Sequence, residues 1–174
     1  EGRMAPSAAD ELMLYQMLVG AWPLDLRVDD EDGLELFATR IAAWQRKALR
    51  EAKRWTRWTS PNEPYEDACE DFLMAMLSGD AAAELRAFAD YIAAPGAANG
   101  LVQAVLRLTT PGVPDLYQGT EYWDFSLVDP DNRRPVDFAV RSASLERDPA
   151  PREALVDWQD GTIKQSVIRR LLCL

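Results

Sequence analysis

The sequence predicts a mainly α-helical fold that carries one short strand. Hydrophobic residues recur every three or four positions over most of the 174 residues, which is the spacing of one face of an α-helix. One apolar run, at 113–117, has the length and the flanking proline and glycine residues of a buried strand. Because a single strand cannot form a sheet, we expect the strands that pair with it to lie outside this sequence.

The amino-acid composition and charge of the sequence argue against two classes of binding partner. Hydrophobic residues make up 48% of the sequence and charged residues 28%, a balance typical of a globular protein. The formal net charge of −10 argues against a nucleic-acid partner, because phosphate contacts need clustered cations. No apolar run reaches the roughly 18 residues of a membrane-spanning helix, and the first residues lack the apolar core of a signal peptide. We therefore expect neither a nucleic acid nor a membrane as partner.

Cysteine and histidine usage limits the chemistry. Cys69 and Cys173 are far apart among apolar neighbours, which favours two buried free thiols over a disulfide and indicates a reducing cytoplasm. Histidine is absent, which excludes catalytic triads that depend on histidine and makes an ordinary zinc site implausible. The sequence therefore predicts no metal and no cofactor.

The helices are predicted from periodicity and from their start and stop signals. Ser7 followed by Asp10 has the form of a capping box, Pro95-Gly96 is a stop signal, and Asp137 is a helix cap. The last helix follows Asp160-Gly161-Thr162 and reaches Leu174. The predicted helices cover residues 8–20, 34–55, 63–77, 81–94, 97–108 and 137–147, with a short helix opened by Pro151 before the last one.

The second predicted helix carries a basic stripe in an otherwise acidic chain. One interpretation is a solvated face with cations favoured near a helix C-terminus. The others are docking onto an acidic neighbour, or contact with sugar hydroxyls near the helix end. The cations are Arg40, Arg46, Lys47, Arg50, Lys53 and Arg54, with Arg57 just beyond.

The segment at 54–66, RWTRWTSPNEPYE, combines two tryptophans with hydroxyls, an amide and carboxylates. Aromatic faces stack on sugar rings and directional polar groups match sugar hydroxyls, so Trp58 and Asn62 are candidate carbohydrate contacts. Alternatively, Ser60 or Asn62 is the N-cap of the next helix with Pro64 in its first turn. Both interpretations can hold together.

The segment at 111–138, PGVPDLYQGTEYWDFSLVDPDNRRPVDF, joins the predicted strand to a loop rich in aromatics and charges. On composition alone it could be a surface loop with ordinary turn chemistry. It resembles the eighth strand and following loop of the α-amylase superfamily, glycoside hydrolase family 13, where Pro-Gly-x-Pro-x-x-Tyr-x-Gly-x-Glu precedes an Asp-Pro-x-Asn-Arg-Arg-Pro-like segment. The segment at 54–66 resembles the same family, with Pro64 where we expect alanine. LYQMLVGAWP and DWQDGTIKQSVIRRLL resemble it more diffusely.

This resemblance implies a helical fragment of a (β/α)₈ barrel enzyme with its last barrel strand and a helical insertion. Residues 1–110 would be the helical insertion and a barrel helix. Residues 111–135 would be the last barrel strand and the active-site loop, and 136–174 the C-terminal helices of the barrel region. The remainder of the barrel is then the expected partner. A lone strand would pair with another copy of the chain or become irregular, since an unpaired buried edge is costly.

The resemblance also implies an activity for the full-length protein. It is an intramolecular transglycosylation that converts the reducing-end α-1,4 bond of a maltooligosaccharide into an α,α-1,1 bond. Such retaining chemistry needs a nucleophilic aspartate and a glutamate acid/base. In the family these residues lie on earlier strands whose motifs are absent from this sequence, so we expect no catalytic residue here and no activity of the fragment alone. The alternatives are a stand-alone helical carbohydrate-binding or protein-interaction module, and a related transglycosylase.

Residues at the end of the strand and in its loop are the remaining candidate substrate contacts. Asp129 and Arg133, four positions apart across a turn, could form an ion pair that also binds sugar hydroxyls, or one that only fixes the loop. In a barrel of this type the carboxyl ends of the strands face the active site. The further candidates at that end are Tyr117, Gln118, Glu121 and Trp123.

Overall fold

The computed structural model describes residues 4–173 and divides into two compact units. The first unit comprises the chain up to Tyr91 together with Phe125–Asn132, and the second comprises Ile92–Asp124 and the chain from Arg133 onward. The α-helices are α1 (Ala8–Ala21), α2 (Glu31–Ala52), α3 (Glu63–Ser78), α4 (Ala81–Thr109), α5 (Phe138–Arg147), α6 (Pro151–Ala154) and α7 (Thr162–Leu172). Short 3₁₀ helices cover Asp131–Arg133 and Trp158–Asp160.

The core of the first unit forms where the apolar stripes of its helices meet. Leu14 and Leu18 of α1, Phe37 and Ile41 of α2, and Leu73 of α3 are buried in one hydrophobic cluster. The predicted cap of α1 is confirmed, because the Ser7 hydroxyl accepts a hydrogen bond from the Asp10 amide. These helices thereby provide a fixed base for the loops described below.

In the second unit, side chains of α7 contact the first turn of α5 and the segment after α5. The predicted cap of α5 is confirmed, because the Asp137 carboxylate accepts from the Val140 amide at 3.0 Å. The Gln165 amide donates to the Arg141 carbonyl at 3.1 Å, and the Ser166 hydroxyl donates to the Pro149 carbonyl at 2.8 Å. The predicted end of the last helix at Leu174 lies outside the described residues.

Two predicted helix boundaries are wrong. The helices predicted at 81–94 and 97–108 are one continuous helix, α4, with Pro95 inside it. Proline removes one hydrogen bond from a helix, but alanines flank Pro95-Gly96 on both sides, and their strong helical preference carries the helix through. The second helix begins at Glu31 and ends at Ala52, because Lys53 adopts the left-handed backbone conformation with φ +57°.

The prediction of a strand at 113–117 is wrong for this chain. Residues 113–117 have no regular secondary structure, and Val113 is 98% exposed. Residues 4–173 contain no β-strand that could pair with this run; their single bridge joins Arg57 and Ser60. The run has therefore become irregular, which is one of the two outcomes expected for a strand without neighbours.

Within residues 4–173, no helix combines the length and the apolarity that crossing a lipid bilayer requires.

Candidate functional site

The basic stripe of α2 binds carboxylates of this chain. Arg40 pairs with Asp131 and Lys47 with Asp129, both at 3.0 Å. Arg50 pairs with Glu66 at 2.6 Å. The fourth cation, Arg46, lies 2.7 Å from Glu70 and 3.3 Å from Asp67. These four cations therefore form ion pairs within their own unit and are not simply a solvated face, while docking onto another protein or contact with sugar hydroxyls stays a prediction.

Glu66 is the centre of the most buried of these pairs, with 0% of its side chain exposed. The Arg50 guanidinium donates to both carboxylate oxygens, at 2.7 and 2.6 Å, and the Thr56 hydroxyl donates to Oε1 at 2.5 Å. The hydrogen bonds from Arg50 lower the pKa of Glu66 and outweigh the opposing effect of burial. The carboxylate is thus held ionised inside the first unit.

This buried carboxylate organises the loop between α2 and α3. Thr56, which donates to Glu66, accepts from the Asn62 amide at 2.9 Å. The side chain of Asn62 donates to the Trp55 carbonyl at 3.2 Å and caps no amide of α3, although Asn62 occupies the N-cap position. The predicted cap therefore holds in position but not in hydrogen bonding, and the Asn62 side chain fixes the loop.

Trp58 is the more accessible of the two candidates in this loop. The residue is 55% exposed, and the guanidinium carbon of Arg50 lies 4.9 Å from its ring centroid. An arginine stacked on an indole face restrains the ring at little cost in accessible area. The arrangement presents a held aromatic surface of the type on which sugar rings stack.

Asp129 lies in a segment that is fastened to α2. The Lys47 ammonium donates to the Asp129 carbonyl at 2.7 Å and to its Oδ1 at 3.0 Å, while the Asp129 side chain is 50% exposed. Two residues further on, Asp131 accepts two hydrogen bonds from Arg40 at 3.0 Å each and one from the Leu127 amide at 2.7 Å. The Asp129 carboxylate is therefore held in place and still accessible to hydroxyl donors.

The candidates at 117–123 form one turn in the second unit. Gly119 has φ +84°, and the Thr120 hydroxyl donates to the Tyr117 carbonyl at 2.7 Å. Tyr117 and Gln118 are exposed, whereas Glu121 accepts from Arg141 Nε at 3.3 Å. The left-handed conformation explains why a glycine occupies position 119.

Trp123 packs against Trp158 and is only partly accessible. Its indole N–H donates to the Trp158 carbonyl at 2.6 Å, and the two indole rings meet edge to face with centroids 6.3 Å apart.

Arg133 is exposed at the end of the 3₁₀ helix Asp131–Arg133. Its pairing with Asp129 stays a prediction.

The predicted residues thus fall into separate groups. Trp58 and Asn62 share the loop before α3, Asp129 lies in the segment held by Lys47, and the turn at 117–123 contains the other four candidates besides Arg133. Arg141 was not predicted from the sequence, because it lies 20 positions from its partner Glu121 and belongs to no recognisable motif. Arg40 and Lys47 were noticed only as members of the basic stripe.

The described loops thus combine an exposed aromatic ring with polar side chains that can donate and accept hydrogen bonds. No protein-family model matches the chain. Over 142 residues it is 39% identical to a Mycobacterium tuberculosis protein assigned as a maltooligosyl trehalose synthase, a match that covers 82% of this chain and 18% of that protein.

Solved structures agree with this match. The maltooligosyltrehalose synthase from Arthrobacter ramosus is 36% identical with a TM-score of 0.75, over 93% of this chain and 20% of that one. A crystal structure of a maltooligosyl trehalose synthase superposes with a TM-score of 0.82 at 32% identity, over 94% of this chain and 22% of that one. The chain is homologous to a segment of the maltooligosyl trehalose synthases, and it spans about one fifth of the length of these relatives.

Proposed function

We propose that this chain is a segment of a maltooligosyl trehalose synthase of glycoside hydrolase family 13. The observation that carries the proposal is the combination of 39% identity over 82% of the chain with a TM-score of 0.82 to a solved synthase. In the proposed enzyme, the segment supplies a helical insertion, the last strand of a (β/α)₈ barrel, the loop after that strand and the following helices. The remainder of the barrel is its partner, and the free thiols Cys69 and Cys173 support a cytoplasmic location.

The proposed reaction is the conversion of the reducing-end α-1,4 bond of a maltooligosaccharide into an α,α-1,1 bond. The nucleophile and the acid/base are supplied by other parts of the enzyme, so the segment alone is inactive. Between the two bond changes, the released glucose must be turned and presented through its anomeric hydroxyl while water is kept away. The residues of this chain act in that step.

Asp129 is the residue best placed for this role. Its half-exposed carboxylate can accept hydrogen bonds from sugar hydroxyls, while Lys47 fixes its position at 3.0 Å. Arg133 supplies guanidinium donors four positions later, and Trp58 offers a stacking surface restrained by Arg50. Each group binds or orients sugar and none takes part in bond cleavage.

The test is the activity of the gene product that contains this sequence. Incubation with maltopentaose is expected to remove reducing ends without releasing an equivalent amount of glucose, and NMR is expected to show the α,α-1,1 bond. Asp129→Asn is expected to lower kcat/KM by about 10- to 100-fold, the range for losing a hydrogen bond to a charged group. The control Asp71→Asn changes an exposed carboxylate of α3 and is expected to leave kcat/KM unchanged. A wild-type product without the new bond would refute the proposal.

A second candidate is a stand-alone carbohydrate-binding module. It is favoured by one observation, namely that the hydrogen bonds of Thr56 and Asn62 in the loop bearing Trp58 are made with residues of the same unit. This candidate predicts heat of binding when the 174-residue chain is titrated with maltooligosaccharide or trehalose. Calorimetry without heat would exclude it and leave the synthase proposal standing.

A further inference from the structure

Two cationic side chains, from two different helices, bind the turn at 117–123. The first is Arg141 of α5, whose Nη2 donates to the Gly119 carbonyl at 2.9 Å and whose Nε donates to the Glu121 carboxylate at 3.3 Å. Its guanidinium carbon also lies 4.8 Å from the centroid of the Tyr122 ring. One side chain therefore contacts three successive parts of the turn.

The second cation is Lys164 of α7. Its Nζ donates to the Tyr122 carbonyl at 3.1 Å and lies 5.8 Å from the centroid of the Trp123 ring. Burial is the main cause that lowers the pKa of Lys164, followed by the charge of Arg107, while Asp124 and Glu121 act in the opposite direction. Burying an ammonium is costly unless it gains specific partners, and the partners that Lys164 gains belong to the turn.

The segment before α7 presses against the same turn. The Trp158 carbonyl accepts the indole N–H of Trp123 at 2.6 Å. Gly161 has φ +82°, and a Cβ at this position would lie 3.0 Å from the Trp123 amide nitrogen and 3.0 Å from the Tyr122 Cβ. Glycine is thus required here both by its conformation and by the close approach of the turn.

We propose that Arg141 and Lys164 are positioning residues that hold the turn at 117–123 in one conformation, so that Tyr117, Gln118 and Glu121 keep a fixed place. The catalytic consequence rests on the proposed function, in which this turn lines the mouth of the active site. The holding of the turn itself does not rest on it.

The directions of the contacts distinguish positioning from general stabilisation. Both cations donate to backbone carbonyls of the turn, and both lie over aromatic rings of the turn. Tyr117 and Gln118, which the turn presents, are exposed and add little to the core. Misplacing a substrate-positioning group by about 1 Å can cost roughly 100-fold in rate, which is a physical reason to fix such a turn this firmly.

The first measurement is amide hydrogen exchange at residues 119–124 in the 174-residue chain. Arg141→Met and Lys164→Met are expected to accelerate exchange there by about tenfold or more, the effect of losing a charge-assisted hydrogen bond. Lys164→Arg, which keeps the charge, is expected to restore part of the protection. The matched control is Arg147→Met, which removes an exposed cation from the last turn of the same helix as Arg141.

The second measurement uses the gene product and maltopentaose. The same Met variants are expected to lower kcat with a smaller change in KM and to raise the share of free glucose among the products, because a misplaced acceptor admits water. Unchanged exchange at 119–124 would overturn the inference, as would equal acceleration throughout α5 and α7, which indicates loss of the whole unit. Accelerated exchange confined to the turn, in a gene product that makes no α,α-1,1 bond, would support the holding of the turn and refute the proposed function.

Discussion

The loop at 53–62 and the run at 113–117 both lie in segments that resemble one enzyme family, yet their structures differ completely. In the loop, the Thr56 hydroxyl donates to the buried carboxylate of Glu66 and accepts from the backbone amide of Asn62. In the run, the backbone has no regular structure and Val113 is almost fully exposed. The loop is therefore determined by this chain alone, and the run is not.

The difference follows from where the partners of each element lie. Glu66 and Arg50 are 16 positions apart, and both belong to helices that pack in one core. A strand instead needs hydrogen-bond partners on neighbouring strands, which residues 4–173 do not contain. A short motif adopts its structure in an isolated segment only when that segment also contains the residues that pack against it and form its hydrogen bonds.

The largest expected effect is at Glu66. Glu66→Ala leaves the Arg50 guanidinium and the Thr56 hydroxyl without their buried partner, so we expect it to lower the free energy of unfolding more than the loss of an exposed ion pair does. Asp67→Ala, which removes a mostly exposed partner of Arg46, is expected to cost less than about 1 kcal/mol. Urea denaturation of the two variants measures the difference, and equal effects would contradict the central role of the buried pair.

The same carboxylate predicts a pH dependence. Because the pKa of Glu66 is lowered from its usual 4.5 in the folded state, its contribution to stability is present above 4.5 and is lost as the pH falls through the folded value. The stability difference between the wild type and Glu66→Gln is therefore expected to shrink on acidification. Urea midpoints measured across the acid range test this, and a difference that stays constant with pH would contradict it.

Val113 tests the other half of the comparison. In the 174-residue chain, Val113→Ser changes an exposed side chain and is expected to alter the free energy of unfolding by less than about 0.5 kcal/mol. In the proposed full-length enzyme the run becomes a buried strand, and the same substitution is expected to cost about 1.5–3 kcal/mol. Equal small effects in both proteins would show that the run stays exposed.

The smallest expected effect is a difference in reactivity between the two cysteine thiols. Cys69 is fully buried, and burial raises its pKa to about 11, whereas Cys173 is exposed. Iodoacetamide at neutral pH is expected to modify Cys173 and to leave Cys69 unmodified until the chain is denatured. Mass spectrometry of the labelled peptides distinguishes them, and labelling of native Cys69 would contradict its place in the core.

Sequence predicted what is decided locally. The caps at Ser7 and Asp137 and the apolar stripes of α1 and α3 need no distant partner, and they are confirmed. The continuity of α4 through Pro95 was missed, because the stop signal was weighed without the helix-forming residues on both sides. The strand at 113–117 was predicted from a pattern whose completion requires neighbouring strands, and residues 4–173 contain none.

The candidate site shows the same limit. Trp58 and Asp129 were found from residue types in loops, and the structure shows what holds each of them. Lys164 was not found, because its contact with Tyr122 spans 42 positions and a lysine in an amphipathic helix has no distinguishing pattern. Contacts of this kind are created by tertiary packing and leave no periodic signal in the sequence.

We propose that the loop and the run differ because this chain is one segment of a larger enzyme. The intact mass of the native gene product, detected in cell extract with an antibody against this chain, tests this proposal most directly. Since the chain covers 18–22% of its relatives, we expect a mass about five times the 19.5 kDa of the chain. A native product near 19.5 kDa would contradict the claim, and carbohydrate binding by the chain itself would then become its candidate function.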